Sequence, residues 1–253
     1  GISAARIKNR IKTFIQYFYD FNDVINELVK LIISFTPIAV FCILAKTFST
    51  QGIETIMSLG GYFFTVVFVL IFHFLFTFSI LIKLFTTLNP VKFFHNLKDV
   101  VVFTFSTSSS SASIPFTLKA AEEKYGIDKS ISTFTVPLGA TINMDGTAIM
   151  QGCATFFLAS LYGIDLGVNE IITIVITATI ASIGTAGIPS AGIIMLTVIF
   201  TQIGIPLEGI TLLLGVDRLL DMMRTSVNVS GDLCISCVIA SSEKKINEKI
   251  FES

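Results

Sequence analysis

The chain has 253 residues and a formal net charge of −1; 53% of it is hydrophobic, 24 residues are Phe and only 14% are charged. With a mean hydropathy of +0.81 it is too apolar for a soluble single domain, which puts it in the integral-membrane class. The opening residues, GISAARIKNRIK, lack the apolar core and small-residue cleavage site of a secretory signal peptide.

In chain order, residues 1–23 carry Arg6, Lys8, Arg10 and Lys12 among Ile, Phe and Tyr, the pattern of a basic interfacial segment. Residues 24–58 read as a scaffold-like spanning helix, roughly Val24 to Phe48 with a kink at Pro37, followed by an outer loop. Residues 59–240 read as a core that opens with an almost charge-free helix over 59–84. His73 lies within that helix, where a lone His is more often a packed or interhelical residue than a ligand. Residues 241–253 are a polar tail.

Two uncharged stretches inside the core do not read as simple spans. Residues 100–118 are interrupted by STSSSSAS and closed by Ile114-Pro115, and residues 171–207 are interrupted by SIGTAGIPSAG. Such small, helix-breaking centres leave short helices on either side, so hairpins are expected over 100–121 and 171–200. Each precedes a helix carrying Asn and Asp, over 131–161 (INMDGT) and 208–240 (DMMRTSVNVSGD), and SASIP and TAGIP share one order of small residues, Ile and Pro. The expected fold class is therefore all-α integral membrane: transmembrane helices with two re-entrant helical hairpins in an inverted repeat, whose broken helices point to a midplane binding site. Lys and Arg cluster on one side of this topology, which makes both ends cytoplasmic by the positive-inside rule.

Charge within the last helix is the strongest functional signal. Asp217, Asp221, Arg224 and Asn228 recur at steps of four, three and four and share one helical face, with Thr225 and Asp232 flanking it. Ionisable residues at membrane depth face the bundle interior or water and are functional by default; a purely structural Asp221–Arg224 pair is the plain alternative. Asp145 is a further carboxylate in a stretch with no other charge from Ile131 to Ile164. Four aspartates (145, 217, 221, 232) against Arg218 and Arg224 leave surplus negative charge among hard oxygen donors, which suits an alkali or alkaline-earth cation. Arg224 in turn suits a carboxylate, and hairpin-tip N–H groups suit a second one. Cys234 and Cys237 form a lone C-x-x-C, weak support for zinc or redox chemistry against the bland reading as buried small residues.

SSSSASIP, PLGATINMDGTA, ASIGTAGIPSAG and LDMMRTSVNVSGD closely resemble the motifs of the sodium:dicarboxylate/amino-acid symporter family, the glutamate/aspartate transporters. The resemblance runs through essentially the whole chain, which looks like the family's C-terminal portion: fifth and sixth helices, hairpin one, seventh helix, hairpin two and eighth helix. It implies symport of an acidic amino acid coupled to sodium entry by alternating access, in the cell (inner) membrane. The implied partners are a small acidic amino acid and membrane lipid, with no nucleic acid. Sodium ions are co-transported, a complete member is a homotrimer, and the activity is not enzymatic. The rest of the transport domain would come from a missing N-terminal portion or a partner.

Residue by residue, the resemblance implies that Arg224 binds the side-chain carboxylate and Asp221 the ammonium. Thr225 and Asn228 assist, with Ser108, Ser109 and Ser110 at the tip of hairpin one and Thr147 near the side-chain carboxylate. Ile188 and Gly192 belong to an extracellular gate. Gly139, Asn143, Asn228 and Asp232 would form one sodium site; Thr141, Met144, Ser182, Ile183 and Thr185 a second; Asn143 and Asp145, completed by the family's third helix, a third. The chain departs from the family where a supporting arginine is replaced by Ser108 or Met222. It has Gln151 where animal transporters carry a protonatable glutamate, so proton coupling is not expected. The alternatives are a C4-dicarboxylate or neutral amino-acid carrier, a channel, an inactive truncated remnant and an intramembrane hydrolase. The last is disfavoured by the lack of a G-x-S-x-G and by having only His73 and His95.

Overall fold

A computed structural model describes residues 34–252 continuously and scattered positions between 13 and 31, with side chains in full from residue 57 to 252. Most of the basic segment 1–23 lies outside the described residues, as do residues 25, 26, 29, 30, 32 and 33 of the helix expected over 24–48. Residues 1–46 and 47–253 are two units; the site lies entirely within the second.

The described residues are helical, with one isolated antiparallel bridge between Ile127 and Ile246. Helix α1 is Thr36–Phe72, with Pro37 in its first turn, where the missing N–H has no intrahelical role. It leads into a five-residue π-helical stretch, His73–Thr77, and α2, Phe78–Phe85. The stretch Met57–Phe85 is long and apolar enough to cross a membrane. Its outward face exposes Phe64, Phe68, Phe72 and Phe76, as a lipid-facing helix would.

Two helix–break–helix pairs follow. In the first, Pro90 at the start of α3 (Pro90–Thr107) follows Asn89, whose side chain accepts the Val91 N–H. Ser108 ends the helix in a left-handed conformation (φ 50°) and Ser109 caps α4 (Ser110–Glu123) through the Ala112 N–H. The second pair is α7 (Val168–Ile183) and α8 (Ala191–Ile203), with left-handed Ser190 (φ 60°) just before α8. The first tip is Ser108–Ser109 and the second runs from Gly184 to Ser190. The shared sequence order therefore falls differently in the two: Pro115 lies inside α4, whereas Pro189 lies in the wider tip.

Residues 131–161 form two helices rather than one. Asp128 caps α5 (Lys129–Ile142) through the Ser130 N–H. The Ser130 hydroxyl, and then its amide, hold the Asp128 carboxyl below its ordinary range. The backbone then unwinds at Asn143 and Met144, and α6 starts at Asp145 and ends at Leu161. The reason lies across the interface. Asn143 donates its side-chain amide to Asp232, and the Gly146 N–H, which a continuous helix would give to the Ile142 carbonyl, goes to the Asn228 side chain. Helix α9 (Ile210–Ser242, 33 residues) packs against α2, α3, α4, α5, α6 and α8 and is the axis of the unit.

The short α10, Glu248–Glu252, closes the end of the bundle where α3 begins. Phe251 is fully buried against Tyr125, whose ring packs at a tilt against Phe93 and whose hydroxyl donates to the Phe93 carbonyl. Asn96 of α3 donates to the carbonyls of both Lys124 and Phe251, and Asn247 donates its N–H to Gly126 O. Gly126 has φ +64°, and a Cβ there would collide with the Asn247 carbonyl. We expect Phe251→Ala to lower stability by about 3 kcal/mol through loss of a buried ring, measured as the unfolding midpoint in detergent.

Candidate functional site

Arg224 is the largest fully buried side chain. Its guanidinium donates to Asp221 Oδ1 at 2.5 Å and to Asp217 Oδ1 at 3.4 Å, along one face of α9. Removing water from three charges is tolerable only if they compensate one another and their remaining groups are bonded. Asp221 meets that demand with its second oxygen, Oδ2, which accepts the Ser190 N–H at 2.9 Å and ties the second tip to α9.

The two tips also bond to each other. The Gly187 carbonyl accepts the Ser109 hydroxyl (2.8 Å) and the Ser111 N–H (3.0 Å). A Cβ on Gly187 would lie 2.5 Å from Ser111 Oγ and 2.9 Å from the Ala140 carbonyl, so only glycine allows this approach. Gly192, in the first turn of α8, has somewhat more room: a Cβ would meet Thr147 at 3.0 Å and the Arg224 guanidinium carbon at 3.4 Å. Gln151 holds the Gly192 carbonyl through Nε2 at 3.2 Å. Asn228 donates to Thr147 Oγ1 (3.1 Å).

Around these groups lies a small cavity of ≈ 10 Å³, whose lining includes Ser108, Ser110, Thr147, Gly192, Asp221 and Arg224. That volume is about one water molecule, too small for a larger solute with the tips in this position. Thr225 and Asn228 also line it, with Met144, Thr185 and Ile188. Ser109 faces the other tip instead, and the Ile188 side chain is 57% exposed, contributing backbone to the cavity. Ser108 Oγ and Gln151 Oε1 are buried without a hydrogen-bond partner; such atoms in a native site await a water or ligand donor. A wider cleft of ≈ 880 Å³ between α1 and α6 is lined by small and aromatic residues such as Gly61, Tyr62, Gly152 and Phe157, with no charged group. The charged pair Asp221 and Arg224 lines the smaller cavity instead.

The residues expected at cations fall into three groups. Asp232, buried in α9, accepts from Asn143 at 2.9 Å, and a Cβ on Gly139 would overlap its carboxylate. Asn228 has both amide atoms engaged, by Gly146 and Thr147. Near Met144, helices α5 and α7 touch and end at Ile142 and Ile183, leaving last-turn carbonyls of the kind that attract a cation. The side chains of Thr141 and Ile183 are exposed, while Ser182 and Thr185 are buried and bond back to the carbonyls of Thr179 and Ala181. Asp145 pairs with His73, whose Nε2 is 2.5 Å from Oδ2. The sequence marks His73 as a packed or interhelical residue rather than a ligand, but not its partner 72 residues away; it places Asp217 on the Arg224 face without assigning it a ligand.

The sequence model of the sodium:dicarboxylate symporter family matches residues 1–242. The chain belongs to that family. Among its relatives are mouse excitatory amino acid transporter 3 (37% identical, covering 99% of this chain and 48% of that protein) and human excitatory amino acid transporter 2 (38%, 92% and 41%). A Caenorhabditis elegans excitatory amino acid transporter is 36% identical over 92% of this chain and 46% of its own. The chain thus spans less than half the length of these family members. Residues 243–252, which include α10, lie beyond the family match.

Gly187→Ala should separate the tips by several Å. Spin labels at the exposed positions Ser106 and Ile188, read by electron–electron distance measurement, would report a longer and broader distribution than in the parent chain.

Proposed function

We propose that the chain forms the substrate- and cation-binding core of a sodium-coupled carrier for an acidic amino acid, glutamate or aspartate. The observation that carries this reading is Arg224, buried between two carboxylates directly beneath two bonded hairpin tips, in a chain of the symporter family. The names of the relatives agree with an acidic amino acid as cargo.

In this reading the substrate side-chain carboxylate takes over the Arg224 fork, near Thr147, and displaces its contacts to Asp217 and Asp221. The freed Asp221 then accepts from the ammonium. The α-carboxylate meets the N-terminal end of α4 at Ser108–Ser110, with Thr225 and Asn228 beside the α-amino end. Because Asp221 also accepts the Ser190 N–H, a substrate that recruits Asp221 acts on the second tip as it binds. Ile188 and Gly192 belong to the part that lifts, making α7–α8 the gate.

Sodium ions travel as cargo with the substrate. One would use Asp232 with Gly139, Asn143 and Asn228; another the carbonyls of Thr141, Ser182, Ile183 and Thr185 near Met144; a third Asn143 and Asp145. Two helix C-termini and unwound carbonyls suit Na⁺, while the helix N-termini near Arg224 suit the anionic substrate. An inward potential of 100 mV supplies about 2.3 kcal/mol per net positive charge carried.

The two helix–break–helix pairs are re-entrant hairpins of an inverted repeat, entering from opposite faces of the cell membrane with both chain ends cytoplasmic. A homotrimer, with an N-terminal portion supplying the remaining scaffold, is the working assembly. The carrier performs no covalent chemistry.

Calorimetry of aspartate binding to the purified chain, with and without sodium, tests the proposal: binding should require sodium, and succinate and serine should compete poorly. Arg224→Ala should weaken aspartate by roughly 100-fold or more, as loss of one member of a buried ion pair does, while sodium still binds. Aspartate affinity unchanged in that variant would sink the assignment.

A further inference from the structure

His73 has no part in the site as the family resemblance draws it, yet three features tie it to Asp145. Its Nε2 lies 2.5 Å from Asp145 Oδ2 across 72 residues of sequence. It also opens the π-helical stretch His73–Thr77, a local change of helix register that occurs mostly at functional positions. Finally, its ring sits edge-on against Phe78 (centroids 5.1 Å apart), and Phe78 in turn abuts Gly231 of α9. A Cβ on Gly231 would lie 2.8 Å from Asn143 Nδ2 and 3.4 Å from Asp145 Oδ2, so this glycine lets both side chains close on α9.

The chemistry of the cluster is directional. Asn143 gives its amide nitrogen to Asp232, which leaves its oxygen for a cation. Asp145 Oδ1 accepts the Gly146 N–H at 3.1 Å, and the His73 and Asp145 side chains are 20% and 26% exposed, so the carboxylate keeps an open side.

We propose that His73 is a positioning residue for cation binding at Asp145. Its Nε2–H donates to Oδ2 and turns the carboxylate so that its remaining lone pairs and the Asn143 oxygen converge on one point at the open side. This rests on the reading of the chain as a sodium-coupled carrier. A merely structural bond between α1 and α6 would alter stability and leave the sodium dependence where it was.

The test is the sodium dependence of aspartate binding to the full chain in detergent, for the parent and for His73→Phe and His73→Gln. Phe keeps a ring and loses the donor; Gln restores an N–H at similar reach. His73→Phe should raise the half-saturating sodium concentration about tenfold, the scale of one hydrogen bond to a charged group, with aspartate affinity at saturating sodium changed less than about twofold by the same reasoning. His73→Gln should recover most of the shift. An unshifted His73→Phe in a sodium-dependent parent overturns the positioning role alone, as does a His73→Gln as impaired as Phe. A parent without sodium-dependent binding overturns the carrier reading together with it. Ring ¹⁵N shifts of His73 in the parent provide a second measure that does not depend on a variant folding: they should move on sodium titration, and shifts that stay fixed overturn the proposal whatever the variants do.

Discussion

A guanidinium buried in an apolar bundle needs neutralisation, and the second unit of this protein is organised around that need. Arg224 is answered by Asp217 one side along its own helix and by Asp221 one turn away. Two carboxylates against one guanidinium leave a surplus negative charge, and the surplus is answered by backbone: Asp221 takes the Ser190 N–H from the second tip. The position of that tip is thus an electrostatic consequence of α9. Anything that redistributes charge among Arg224, Asp217 and Asp221 changes what holds the tip down.

The tips owe their meeting to what they lack. Gly187 and Gly192 have no side chain at the two points where one tip crosses the other and where α8 passes over Arg224. The left-handed serines, Ser108 and Ser190, turn the chain within each tip at a conformational cost of about 1 kcal/mol each. Hydrogen bonds from Ser109, Ser111 and Gln151 offset that cost.

Much of this was legible in the sequence because charge is so rare in it. With no other ionisable residue for long stretches around Asp145 and only two arginines in the last helix, spacing alone brought Asp217, Asp221, Arg224 and Asn228 to one face. Interruptions such as STSSSSAS and SIGTAGIPSAG marked the breaks in α3–α4 and α7–α8. The break within 131–161 was hidden, since neither Pro137 nor Gly139 is at the point of unwinding; it is made by Asn143 and Gly146 bonding to α9, a tertiary effect that no local pattern carries. An interhelical role for His73 was legible, but its partner Asp145 was hidden for the same reason, lying on a different helix. The matching SASIP and TAGIP were partly misleading, for one lies in a helix and the other in a loop.

The contact of α10 with the base of the first helix pair has a bearing on how the molecule is made. Asn96 and Phe251 are joined across 155 residues, and Thr87 and Glu248 across 161. A ribosome delivers α3 and α4 long before it delivers their fastening, and α7, α8 and α9 must emerge in between. During synthesis the first pair therefore waits with Tyr125 uncovered and the Lys124 carbonyl without its cross-strut to residue 251. The second pair, whose partners Asp221 and Arg224 follow within some tens of residues, completes its contacts sooner. The element with the most fixed base in the finished protein is the one that spends longest unfinished.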